Sequence, residues 1–118
     1  MGQTFGKEEK LKSRKVIAKL FAEGSTTTKF PLKVFYLPLD PSENTRAAFA
    51  VPKRNFKSAV TRNRIKRQLR ETYRIQKEGI SVTHGKKFAL LFLYIGKDKP
   101  QYAKLSSTMA TLLNKFMV

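Results

Sequence analysis

The side chains best placed to do chemistry in this 118-residue chain are cations. Between Lys53 and Arg74 stand nine of them, Lys53, Arg54, Lys57, Arg62, Arg64, Lys66, Arg67, Arg70 and Arg74, against one acid, Glu71. Arginine outnumbers lysine in the second half of this run. Its planar guanidinium grips phosphate through two parallel hydrogen bonds and stacks on bases, which suits nucleic acid better than diffuse charge does. A merely solvated helix mixes signs at i,i+4 spacing. Here Glu71 is nearly alone, so like charges repel with nothing to offset them unless a polyanion is bound.

Hydrolytic chemistry by the protein itself is not supported. Cutting a phosphodiester requires clustered carboxylates for metals or a base such as histidine. The eight acids, Glu8, Glu9, Glu23, Asp40, Glu43, Glu71, Glu78 and Asp98, are scattered, and the one histidine, His84, sits in the loop sequence Val82-Thr83-His84-Gly85. Without cysteine there is no thiol nucleophile, disulfide framework or Cys-ligated metal site, and a reducing compartment is compatible. No catalytic residue and no metal ligand is expected in the chain.

These residues need elements to hold them. Ser13 can cap a helix over about 14–23, whose apolar Val16, Ile17, Leu20 and Phe21 share a face and which Gly24 ends. Thr26, Thr28 and the apolar stretch from Phe30 to Leu39, punctuated by Pro31 and Pro38, read as a short strand and then a long one. Asp40 to Asn44 is a turn cluster, and Arg46 to Val51 forms a third strand that Pro52 stops. From Ser58 to about Gln76 the period becomes helical. Ile65, Leu69, Thr72, Tyr73 and Gln76 fall on one side and Asn63, Lys66, Arg67, Arg70 and Arg74 on another. After a loop over Gly79 to Lys86, Lys87 to Ile95 is apolar at both parities, as in a strand buried on both faces. Leu105, Met109, Leu112 and Phe116 then mark a final helix.

The run Arg62-Asn63-Arg64-Ile65-Lys66-Arg67-Gln68-Leu69-Arg70-Glu71, preceded by Ala59-Val60, resembles the RNR signature of the bacterial ribonuclease P protein family. Lys10-Leu11-Lys12, the helix carrying Phe21 and closing at Gly24, and Val51-Pro52-Lys53-Arg54 extend the likeness over nearly the whole chain. Two positions depart from it. Phe56-Lys57-Ser58 stands where the family usually has a glycine, and Ile17 stands where it often has an aromatic, which weakens a stacking role there.

The resemblance implies a single α+β domain over 1–118, a two-layer α/β sandwich of order α-β-β-β-α-β-α with a left-handed βαβ crossover. It implies a protein subunit that assists a catalytic RNA in removing the 5′ leader from precursor tRNA. Mg2+ is expected at the RNA active site and no cofactor on protein ligands. The expected RNA-binding residues are Lys53, Arg54, Arg62, Asn63, Arg64, Lys66, Arg67, Arg70 and Arg74. A cleft between the first helix and the sheet would hold the leader, with Ile17, Phe21, Phe35 and Tyr36 as its candidates. Periodicity leaves Phe21 between core and cleft, and either Phe35 or Tyr36 serves according to which strand face is solvent-lined.

A net charge of +17 and 41% hydrophobic residues fit one compact domain with a polyanionic partner. No stretch of ~18 apolar residues is present, so a cytoplasmic protein without membrane contact or obligate protein partner is expected. A ribosomal or other structural RNA-binding protein is the alternative. A duplex-DNA reader fits less well, since the basic helix lacks the adjoining helix of a helix-turn-helix.

Overall fold

The computed structural model describes residues 14–39, 46–76 and 87–116. The expected cap at Ser13, the turn cluster at 40–44, and the 79–86 loop with His84 lie outside the described residues. Among the described residues seven elements follow in order: α1 (Arg14–Glu23), β1 (Ser25–Lys29), β2 (Leu32–Leu39), β3 (Arg46–Ala50), α2 (Ala59–Gln76), β4 (Lys87–Tyr94) and α3 (Tyr102–Phe116). This is the α-β-β-β-α-β-α order the sequence implies.

The strands form one sheet of order β1-β2-β4-β3. β2 pairs antiparallel with β1 and β4, while β3 and β4 run parallel and are joined through α2. β4 is therefore interior in the sheet, which explains its apolar residues at both parities. Pro38 sits within β2 beyond Ser25↔Tyr36, the last β1 pair. A residue without an N–H is tolerated where no β1 partner remains.

Strand parity divides the core in two. Leu32, Val34, Ala47, Leu90, Phe92 and Tyr94 face α2 and α3, where Ile65, Leu69, Tyr73, Leu105, Met109 and Leu112 meet them. Phe49 stacks on Phe92 at 5.4 Å, and Tyr73 tilts against both rings. Sheet and paired helices make the two-layer sandwich. Gln76 on α2 ties it to α3 by donating to the Ser106 carbonyl at 2.8 Å and its hydroxyl at 3.0 Å.

Among the described residues, the opposite face carries α1 alone. Leu20 is fully buried against Ala89 and Leu91, with Val16, Ile17, Phe35, Leu37 and Ala48 packed around them only in part. The helix stops at Gly24, whose N–H donates to the Leu20 carbonyl at 3.0 Å. Any Cβ at Gly24 would overlap that carbonyl, so the close approach selects glycine.

Candidate nucleic-acid interface

Two surfaces emerge, one on each side of the sheet. The first is α2. Its approach is a tight turn after β3, in which the N–H groups of Asn55 and Phe56 donate to the Pro52 carbonyl at 3.2 and 3.3 Å. Phe56 is buried, its ring 5.9 Å from that of Tyr94. Ser58 caps the helix, its hydroxyl accepting from the Thr61 N–H at 3.4 Å and its carbonyl from the Arg62 N–H at 3.0 Å. At the place where the resemblance leads one to expect glycine, the chain thus anchors the helix entry with an aromatic ring.

Burial of Ile65, Leu69, Thr72 and Tyr73 fixes the rotation of α2 about its axis. Thr72 satisfies its buried hydroxyl by donating to the Leu69 carbonyl at 2.9 Å. With the inner seam so occupied, Asn63, Arg64, Arg67 and Arg70 are turned outward and exposed, and Lys66 lies half-buried on the flank. Lys53, Arg54 and Lys57 are exposed on the turn that leads into the helix.

Two of the nine expected RNA-binding side chains also have intramolecular partners. Arg62 falls on the inner side of the helix, and its Nη1 donates to the carbonyls of Phe56 at 2.8 Å and Lys57 at 2.9 Å. It clamps the entry turn. Arg74 pairs with Glu71 one turn earlier, with an Nε–Oε2 hydrogen bond of 3.3 Å and a second, shorter contact from Nη2. The Arg74 hydrogen bond, opposed by desolvation, holds the Glu71 carboxyl below its ordinary value. Neither partner is legible in the sequence, because charge composition shows that cations are present but not which way they point.

The second surface is the part of the sheet that α1 leaves open. Phe21 is 54% exposed, so it is not a core residue. Its ring meets that of Phe35 at 4.9 Å and 57°. Ile17 is half-buried on the same helix face. Tyr36 does not join them. It points to the other side of the sheet, where its ring packs edge-on against Phe88 at 6.2 Å. Lys33 does join them, with Nζ 5.2 Å from the Phe35 ring centroid. Sequence reasoning passed over Lys33, although its i,i+2 spacing from Phe35 on a strand marks it as a neighbour on the same face. The cluster offers aromatic faces beside a cation, which is the composition of a sequence-tolerant single-strand site.

Among the described residues no three His, Cys, Asp or Glu side chains gather as a metal site would require. The described acids Glu23, Glu71 and Asp98 lie on separate elements. Nor is any helix among the described residues long and apolar enough to cross a membrane.

Comparison with known proteins gives one family. The model described as Ribonuclease P matches residues 5–117. The ribonuclease P protein component of Chlorobium phaeobacteroides is 33% identical over 123 residues, covering 92% of this chain and 84% of that protein. That of Porphyromonas gingivalis is 41% identical over 81 residues, 63% of this chain and 57% of its own length. Among solved structures, the RNase P protein from Thermotoga maritima superposes with a TM-score of 0.74 at 21% identity, covering 91% of this chain and 96% of its own. The Staphylococcus aureus RNase P protein gives 0.71 at 17%, covering 93% and 98%. At those identities the structures speak for the fold.

Proposed function

This chain belongs to the ribonuclease P protein family, whose members are components of a tRNA-processing endoribonuclease, and from that premise we propose how its two surfaces divide the work. The outer face of α2 binds the catalytic RNA subunit. The α1 cleft takes the single-stranded 5′ leader of precursor tRNA. Hydrolysis of the phosphodiester falls to the RNA, with Mg2+ at its active site, in the cytoplasm.

The observation that carries this reading is the placement of Arg64, Arg67 and Arg70 outward on one side of the sheet while Phe21, Phe35 and Lys33 cluster on the other. A protein holding one RNA needs one such surface. A protein that holds substrate against a second RNA needs two. The α2 row supplies point contacts to phosphates of a folded RNA, and each contact releases counterions. The cleft supplies stacking at about 1–3 kcal/mol per base without reading base identity, as leaders of varied sequence require.

The test compares two variants with precursor tRNA that carries or lacks a leader. Arg67→Ala is expected to weaken assembly with the catalytic RNA whichever substrate is present, and Phe21→Ala to weaken only leader-bearing substrate. Equal loss for both substrates with Phe21→Ala would remove the leader from the α1 cleft. Preference of the protein for ribosomal RNA over the catalytic RNA would favour the structural-binder alternative.

A further inference from the structure

A groove of about 630 Å³ opens between the β1–β2 turn and the start of α3, lined by none of the side chains of the two surfaces described above. We propose that it is a further RNA contact, receiving one unpaired nucleotide of the RNA subunit, with the base on Phe30 and the flanking phosphates on Lys97, Lys99 and Lys104. The inference rests on the assignment of α2 to that RNA.

Three observations support it. Phe30 is 68% exposed and belongs to neither core cluster, in a fold that buries Phe56 and Phe92. An unburied ring on a groove wall is a stacking platform for any base. The groove is cationic: among the described residues Lys97, Lys99 and Lys104 line it with Asp98 as the only acid in its wall, and none of the three lysines is in an ion pair.

The wall is also built to hold its shape. The Tyr94 hydroxyl donates to the Asp98 carbonyl at 2.6 Å and the Ile95 N–H to the Pro31 carbonyl at 2.8 Å, tying the lysine-bearing turn to the turn that carries Phe30. Gly96 sits buried between them. A Cβ there would lie 2.9 Å from the Tyr94 hydroxyl and 3.1 Å from Pro31 Cβ, so only glycine lets the turns close to this distance. Such a site loses little entropy of its own on binding.

Position selects which RNA it meets. Tyr94 forms one wall of the groove and packs on Phe56, whose carbonyl Arg62 holds at the entry to α2. An RNA running past the start of α2 therefore passes this groove. Tyr94 and Leu105 belong to the core beneath α2 and α3, on the other side of the sheet from the α1 cleft, so the leader is not the occupant.

The full chain, the cognate RNA subunit and precursor tRNA provide the test, with Arg67→Ala measured in parallel. Phe30→Ala should weaken binding to the RNA subunit by about 5- to 150-fold, the equivalent of one stacked base, and Phe30→Tyr should restore it. The combined Lys97→Gln, Lys99→Gln, Lys104→Gln variant should flatten the salt dependence by about 0.7–0.9 slope units for each lysine on a phosphate. Melting temperatures should stay near that of the parent, as all four side chains are exposed. A photo-crosslinking phenylalanine analogue in place of Phe30 should attach to the RNA subunit. Attachment to precursor tRNA, or to no RNA, overturns the proposal. Loss of binding with Arg67→Ala but not with the groove variants refutes the groove alone, whereas no effect from any of them refutes the α2 assignment with it.

Discussion

Arg62 and Arg67 stand five residues apart on one helix and share a charge, yet their surroundings give them different work. Arg67 is exposed on the outer row, whereas one nitrogen of Arg62 serves two carbonyls of the entry turn. Arg67→Ala, like Arg64→Ala, is expected to lower the salt dependence of RNA binding by about 0.7–0.9 slope units. Arg62→Ala should instead cost about 1.5–3 kcal/mol of stability, the usual scale of hydrogen bonds from a charged donor, and leave the slope nearly unchanged. Binding measured across a salt series, with a denaturant melt for each variant, separates them. Phe21→Ala poses the same question for the cleft. With Phe21 about half exposed, the loss of stability should fall well short of the ~3–5 kcal/mol for a core phenylalanine. A full core-sized loss would mean that Phe21 supports α1 and does not line a cleft.

At the scale of elements, boundaries were readable where side-chain period and backbone chemistry agree. Gly24 ends α1, Pro52 follows β3, Ser58 caps α2, and the double apolar parity of β4 matches its interior place in the sheet. The faces were less readable. Periodicity puts Phe35 and Tyr36 on opposite sides of β2, but only the placement of α1 decides which side is left open, and that depends on contacts distant in sequence. The same gap hid Lys33. The parallel β3–α2–β4 connection was legible only through the resemblance, because no local pattern encodes how a crossover returns. Gly24→Ala tests the joint that sets the cleft. The added Cβ overlaps the Leu20 carbonyl, so amide exchange across 14–23 should accelerate while that of α2 stays slow. Equal acceleration in both would mean that α1 and the α2–α3 layer open as one unit.

Over the whole molecule, charge is unevenly spread: 22 residues from Lys53 to Arg74 carry about half of the +17. The Glu71–Arg74 pair moderates this ridge. Because Arg74 depresses the Glu71 pKa, whatever stability the pair adds is present above the unfolded carboxyl's ordinary value and is lost as pH falls through the lower folded one. Between pH 7 and 5 it should therefore be constant, and melts over that range check this. Glu71→Gln adds one unit of net positive charge and releases Arg74 from its partner. RNA affinity should rise and the salt slope steepen by up to about 0.9; an unchanged slope would place Arg74 off the RNA. The central claim is that this chain supports an RNA that performs the cleavage. It is tested most directly by cleavage of leader-bearing precursor tRNA by the cognate RNA subunit at limiting Mg2+, with and without the protein. The account predicts clear stimulation by the protein and no cleavage by the protein alone. Absence of stimulation, or cleavage without the RNA, would contradict it.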